Sequence, residues 1–156
     1  MGKKILVALD DSDNAMRAVE FTASSFANDH EITLYSVVPD TAAICQLDSP
    51  SLVPHFKEQQ QSFCAIEEQK KNLIKSAMDK ARQILIEAGF AADKVVSKLH
   101  SQKKSIAQDI IEEAHTGYKA IVMGRRGLSG FKELVLGSVS QKVVHAAKGL
   151  SVVIVE

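Results

Sequence analysis

The stretch AIVMGRRGLSGFKELVLGSVS, residues 120–140, joins the end of an apolar strand, a glycine-rich basic loop and the start of a helix. Four of the chain's eight glycines lie between positions 124 and 137, so the glycines are concentrated here. Glycines let a backbone take positive φ and approach a ligand closely, and the free N–H groups of a helix N-terminus attract phosphate. The stretch predicts an anion-binding loop, although Gly124 ending a strand and Gly137 opening a helix would give the same pattern without a ligand.

Length and charge narrow the class of protein. A chain of 156 residues suits one domain with a core that needs neither disulfide nor metal, and we predict a single domain over residues 1–156. The formal net charge is zero, so no global field favours nucleic acid or an acidic membrane. The N-terminal apolar run, Ile5 to Leu9, is too short for a signal peptide or a membrane span. We expect a cytoplasmic protein that binds neither nucleic acid nor membrane.

The two cysteines give no metal signature. Cys45 and Cys64 lie nineteen positions apart, in a segment without His or Cys partners at zinc-ligand spacing. This spacing argues against a structural metal site, and we expect two free thiols.

Five apolar runs predict strands, and segments with helical spacing lie between them. The predicted strands cover residues 3–9, 31–38, 95–99, 118–123 and 150–155. Strands that alternate with helices imply right-handed crossovers, because each crossover lays its helix on one face of a parallel sheet. We therefore predict an α/β fold, a single-domain, doubly wound, open parallel sheet of five strands with helices on both faces.

One long segment breaks this alternation. Residues from Asp40 to about Gln61 contain Pro50 and Pro54 and show no sustained periodicity, so we predict a long loop there. Helical spacing resumes from Ile66 and continues to Ala88.

The fold brings two polar segments together. Ligands of such sheets bind beyond the carboxyl ends of the strands, where the strand order reverses. Strand 1 ends in Asp10-Asp11-Ser12-Asp13, and strand 4 ends at the glycine-rich loop, so as neighbours they would share one crevice. A nucleotide would use both halves: the loop would hold phosphates, and Asp10 would accept a ribose hydroxyl or, with phosphate oxygens, hold Mg²⁺.

Three better-known sites are excluded by spacing. The chain has no G-x-x-x-x-G-K-[ST] motif and no G-x-G-x-x-G after the first strand, so neither a P-loop nor a Rossmann dinucleotide site is supported. A phospho-receiver domain would need an aspartate closing strand 3 and a lysine closing strand 5. Neither is present, because strand 3 ends at Leu99-His100-Ser101 and strand 5 at the C-terminus.

The spacing Gly124-x-x-Gly127, nine residues, then Gly137-Ser138 resembles the nucleotide-binding signature of the universal stress protein family, in its ATP-binding subgroup. The resemblance covers the whole chain in length and element order, and the Asp10-Asp11-Ser12 turn supports it. It implies the strand order 3-2-1-4-5. It implies ATP or AMP as the ligand, with Mg²⁺ as a possible companion. It also implies a stress-response or regulatory role and a homodimer through the last strand, Ser151 to Glu156.

The same resemblance assigns roles to residues of this chain. It implies Gly127, Gly137, Ser138 and Ser140 at the phosphates, Asp10 near the ribose and Val37 in backbone contact with adenine. Together with the neighbours of these positions, the predicted nucleotide site comprises Asp10, Ser12, Val37, Val38, Met123, Gly124, Arg125, Arg126, Gly127, Gly130, Gly137, Ser138, Val139 and Ser140.

Three functions fit the sequence. The first is a binding module without efficient chemistry, because no histidine or glutamate is obviously paired with Arg125 and Arg126. The second is a slow Mg-dependent ATPase in which Asp10 or Asp13 holds the metal and the arginines neutralise the γ-phosphate. The third is a nucleotide-free dimeric interaction protein. No catalytic residue is assigned, since His145, two turns into the last helix, is expected to be structural or exposed.

Overall fold

The computed structural model describes residues 1–48, 53–125 and 136–156. Five parallel strands form one sheet: β1 Lys4–Ala8, β2 Glu31–Val38, β3 Val95–Ser101, β4 Ala120–Gly124 and β5 Ser151–Val155. Their order is β3-β2-β1-β4-β5. The predicted fold class and strand order are therefore confirmed.

In the described ranges five α-helices connect the strands: α1 Asp13–Ser25, α2 Ala42–Cys45, α3 Pro54–Glu87, α4 Ile106–Ala114 and α5 Ser138–Ala146. A short 3-10 turn, Ala92–Lys94, precedes β3. Helices α1 and α3 pack on one face of the sheet, and α4 and α5 pack on the other. None of the helices in the described ranges is both long and apolar enough to cross a membrane.

The central strand β1 contributes to both cores. Ile5 and Val7 point into the core beneath α1 and α3, whereas Leu6 and Ala8 point into the core beneath α4 and α5. Successive side chains of a strand point to opposite faces, so a strand covered on both sides must be apolar throughout. This explains the unbroken apolar run at the start of the chain.

The predicted long loop is wrong in its second half. Helix α3 begins at Pro54, and the short helix α2 lies within the segment that was expected to be irregular. Proline suits the first helical position because its missing N–H would have no helical partner there, so Pro54 starts the helix. The glutamines that follow are good helix formers. The fully buried residues of α3 are confined to its C-terminal half, and this is why the N-terminal half shows no core-facing pattern.

The prediction of free thiols is also wrong, because Cys45 and Cys64 form a disulfide. The physical reason is the early start of α3. It carries Cys64 beside the end of α2 and brings the two Cα atoms to 5.9 Å, a separation that a disulfide can span. The cross-link ties α2, which has no buried residue of its own, to the long helix.

A partly buried polar cluster joins β3 to α4. The Glu113 carboxylate lies 2.6 Å from the Lys98 ammonium and accepts a hydrogen bond of 3.0 Å from the Tyr118 hydroxyl. Burial alone would raise the pKa of Glu113, but the hydrogen bonds from Lys98 and Tyr118 outweigh it and hold the pKa below its ordinary value of 4.5.

This cluster should make the free energy of unfolding depend on pH in the acid range. A carboxyl whose pKa is depressed by folding stabilises the native state above its unfolded pKa, and that contribution is lost as the pH falls through its folded pKa. We expect Glu113→Gln to reduce stability at neutral pH and to flatten the loss of stability below about pH 5. Urea unfolding of both proteins across this range measures the effect. Parallel stability curves for wild type and variant would contradict it.

Candidate functional site

The candidate site lies where the strand order reverses. Strands β1 and β4 are neighbours, with Ala8 opposite Met123, so the turn after β1 and the end of β4 meet at one edge of the sheet. Connections from these two strands leave on opposite sides, and this opens a crevice beyond their carboxyl ends. The crevice is a cavity of about 340 Å³, within the range of small-ligand sites.

Most of the described residues of the predicted site line this cavity. They are Asp10, Ser12, Val37, Met123, Gly124, Gly137, Ser138, Val139 and Ser140. Val38 is buried and faces a second cavity, beside Pro39 and Cys45, instead. Arg126, Gly127 and Gly130 lie outside the described residues, so the centre of the glycine-rich loop stays a prediction.

The turn after β1 is ordered by its own side chains. One Asp10 carboxylate oxygen accepts a hydrogen bond of 2.8 Å from the Ser12 backbone N–H. The Ser12 hydroxyl accepts one of 3.2 Å from the Ala15 N–H and caps helix α1. Asp10 is thereby held at the cavity wall with its second oxygen uncommitted among the described hydrogen bonds.

The first turn of α5 forms the opposite wall. The N-cap is Gly137, and none of the described side chains caps the helix. The Arg125 carbonyl accepts bonds from the Gly137 N–H at 2.8 Å and from the Ser140 hydroxyl at 2.6 Å, which anchor this turn to the end of β4. The N–H groups of the first turn have no helical acceptors, so they carry positive partial charge at the cavity wall.

Gly124 is required for packing, a role that differs from the expected one. The φ angle of Gly124 is not positive. The described glycines that do have a positive φ are Gly89, Gly117 and Gly149. A methyl group at position 124 would lie 2.8 Å from the carbonyl carbon and oxygen of Asn14 in the first turn of α1. The glycine thus lets the end of β4 approach helix α1 and keeps the two cavity walls at their present distance.

The Arg125 side chain is engaged outside the cavity. Its guanidinium lies 3.0 Å from the Glu156 carboxylate, and its backbone N–H donates to the Val155 carbonyl. The structure therefore associates Arg125 with the end of β5, and Arg125 is absent from the described cavity wall. In the described ranges no cluster of three or more His, Cys, Asp or Glu side chains could hold a metal ion.

Comparison with known proteins identifies the family. The family model described as the universal stress protein family matches residues 1–156. The chain belongs to the universal stress protein family. Among its relatives, universal stress protein YxiE of Bacillus subtilis is 29% identical over 144 residues, which are 92% of each protein.

Solved structures of other proteins share the fold. The hypothetical protein MJ0577, solved for a structure-based assignment of its biochemical function, superposes with a TM-score of 0.72 at 24% identity, over 99% of this chain and 96% of that one. A universal stress protein in complex with cAMP superposes with a TM-score of 0.64 at 18% identity, over 99% of this chain and 97% of that one. At these identities the likeness establishes the fold.

Sequence reasoning missed the apolar wall of this universal stress protein's cavity. Tyr35, Ile74, Ile106 and Ile110 line it, and they come from β2, α3 and α4. Burial raises the pKa of Tyr35 to about 12, and its ring stacks on His100 with the ring centroids 5.8 Å apart. Periodicity does place Ile106 and Ile110 on one face of α4, but nothing local distinguishes a cavity wall from ordinary core.

Proposed function

We propose that this universal stress protein is a regulatory, stress-response module that binds an adenine nucleotide, ATP or AMP, in the cavity between β1, β4 and α5. One observation supports the proposal most directly: the uncapped first turn of α5 faces the Asp10 turn across a cavity whose remaining wall is apolar. A nucleotide combines an anion, a hydroxyl-bearing sugar and an apolar ring, and each of these finds a complementary wall.

The phosphates would bind at α5. Backbone N–H groups at Ser138, Val139 and Ser140 supply donors without adding a charged side chain, and the helix dipole adds positive partial charge. The Ser140 hydroxyl already donates to the Arg125 carbonyl, so its contribution would be to hold the turn in place. The Ser138 side chain is exposed and is available to a phosphate.

The base would bind beside the end of β2. Pairing between β1 and β2 reaches Tyr35, whose carbonyl accepts a hydrogen bond from the Leu9 N–H. Alternate peptide groups along a strand point to the same side, so the Val37 peptide points toward β1 at a level where β1 has already ended. Its N–H and C=O are suited to the edge of an adenine ring, and Ile106 and Ile110 provide apolar contact.

Asp10 would accept a ribose hydroxyl with its uncommitted oxygen, or bind Mg²⁺ together with phosphate oxygens. Magnesium is commonly held by one or two carboxylates plus substrate phosphates, and the Asp10-Asp11 pair fits that ligand set. We propose binding without efficient turnover, because Arg125 pairs with Glu156 and is not aimed at the phosphate wall. Slow hydrolysis of ATP is the alternative, and a cytoplasmic location stays a prediction.

We further propose a homodimer through β5. The strand pairs with β4 on one side and lies at the edge of the sheet, and Val152 to Val155 are only half-buried. An edge strand with partly exposed apolar residues is suited to pairing with a second copy.

Two measurements test nucleotide binding. Mass spectrometry of the small molecules released on denaturing the purified protein should detect ATP, ADP or AMP. Titration calorimetry of ligand-free protein should then show that ATP or AMP binds with higher affinity than GTP. Absence of any adenine nucleotide in the first experiment, and of binding at millimolar ATP and AMP in the second, would refute the proposed function.

A further inference from the structure

The disulfide between Cys45 and Cys64 lies outside the two hydrophobic cores. Both cysteines are half-buried, and both line the second cavity, which has a volume of about 300 Å³. A disulfide is reduced when a thiolate attacks one of its sulfur atoms, so the rate of reduction depends on access to the bond. A bond on a cavity wall is reached without unfolding either core.

The cores do not depend on this bond. Helix α2 has no buried residue, and the first residue of α3 that packs against a core is Ile74, well beyond Cys64. Breaking the S–S bond would therefore leave the apolar surface of both cores buried. Local opening of α2 and global unfolding are then separate events, and a reversible switch requires this separation.

Helix α2 has few other attachments to the rest of the protein. It is a single turn, and an isolated helix of this length is not stable in water. The described hydrogen bonds that hold it to α3 come from one side chain, the Gln60 amide, which donates to the carbonyls of Ile44 and Leu47. The side chains of Ile44 and Leu47 are themselves exposed. The position of α2 on α3 therefore depends mainly on the covalent link.

We propose that the Cys45–Cys64 pair is a thiol redox sensor, in which reduction by a dithiol releases α2 from α3. One thiolate of the dithiol attacks a sulfur atom of the pair, the S–S bond breaks, and the other cysteine leaves as a thiolate that takes up a proton. The second thiol of the dithiol then attacks the mixed disulfide and frees the first cysteine. The cysteine pair gains two electrons and two protons, and the dithiol loses them and becomes a disulfide.

The released state differs from the oxidised state at the carboxyl end of β2. Helix α2 follows β2 closely, and Cys45 and Ala42 form part of the wall of the second cavity. Displacement of α2 would open this cavity and expose its apolar wall, Val38 and Ile74, to solvent. The switch requires no nucleotide, so it stands or falls independently of the proposed function.

Amide hydrogen exchange followed by NMR tests the release of α2. The backbone N–H groups of Cys45 and Gln46 donate helical hydrogen bonds of 2.8 and 2.9 Å. We expect dithiothreitol, a small dithiol, to speed exchange at these two amides about tenfold. The Gln102 N–H, which donates to the Val38 carbonyl at 2.7 Å, should exchange at an unchanged rate. Unchanged exchange at Cys45 and Gln46, or equal acceleration at Gln102, would overturn the proposal.

The rate of reduction separates a switch from a purely structural disulfide. Alkylation of free thiols and mass spectrometry measure how fast dithiothreitol reduces the full-length protein. A bond that is reached from the native state is reduced at nearly the same rate with and without sub-denaturing urea. A bond that is reached only through global unfolding is reduced faster as urea lowers the free energy of unfolding. We expect the first result, and the second would refute the switch.

Two variants identify the contact that holds α2. The double variant Cys45→Ser/Cys64→Ser removes the bond with little change of size, and it should show fast exchange at Gln46 whether or not dithiothreitol is present. Gln60→Ala removes the two amide hydrogen bonds and keeps the disulfide, so exchange at Gln46 should stay slow until the bond is reduced. Circular dichroism checks that both variants fold. Slow exchange in the double variant, or fast exchange in oxidised Gln60→Ala, would contradict control by the disulfide.

Discussion

Gly124→Ala is expected to destabilise the protein by about 3 kcal/mol, at the upper end of what overpacking usually costs. The added methyl group would lie 2.8 Å from the Asn14 carbonyl carbon and oxygen and 2.9 Å from the Asn14 Cβ. These distances are well inside van der Waals contact. Asn14 belongs to the first turn of α1, so relief requires helix α1 or strand β4 to move. Urea unfolding measures the loss.

Gly149→Ala is the matched control. Gly149 has a φ of +74°, and a methyl group there would have no neighbour within 4 Å. Its substitution should therefore cost only the left-handed conformation, about 1 kcal/mol. If Gly124→Ala is no more destabilising than Gly149→Ala, the close approach of β4 to α1 is not the reason for Gly124.

Ser138→Asp is expected to weaken binding of AMP or ATP about a hundredfold, equivalent to about 2.7 kcal/mol. The new carboxylate would stand beside the proposed phosphate position, and like charges about 4 Å apart repel by about 1 to 4 kcal/mol, depending on the effective dielectric constant. An acidic residue in the first turn favours the helix itself, so the fold should be retained or slightly stabilised. Loss of binding without loss of stability separates a ligand effect from a folding effect.

Ser138→Asn controls for size, because asparagine matches aspartate in shape and lacks the charge. We expect it to reduce affinity only modestly, and Ser138→Ala to cost about 1 kcal/mol if one hydroxyl hydrogen bond is lost. Calorimetry on the three variants, at two salt concentrations, measures the charge effect, which should shrink at high salt. Equal affinities for Ser138→Asp and Ser138→Asn would show that the phosphates bind elsewhere.

Much of the candidate site could be predicted because its parts follow buried strands. Asp10 and Ser12 come directly after β1, and Gly124 ends β4. Parallel strands place their carboxyl ends at one edge, so identifying the strands was enough to bring these residues together. The apolar wall could not be predicted in this way. Tyr35, Ile74 and Ile110 come from three different elements, and each has the local pattern of a core residue.

The contacts of Arg125 also could not be predicted from local sequence patterns. As a basic residue in a glycine-rich loop it was a reasonable phosphate ligand, but its guanidinium pairs with Glu156, thirty-one positions later in the chain. That partner becomes a neighbour only because β5 lies beside β4. No local pattern records such a pairing.

The sequence by itself determined the strands and their α/β alternation. These follow from short-range periodicity and the handedness of crossovers, which act within a few turns of chain. The tertiary structure alone decided that Cys45 and Cys64 are bonded, that Gly124 packs on Asn14, and which apolar side chains line the cavity. Each of these features requires that two segments far apart in the sequence come into contact. The packing of whole helices on the sheet determines which segments do so.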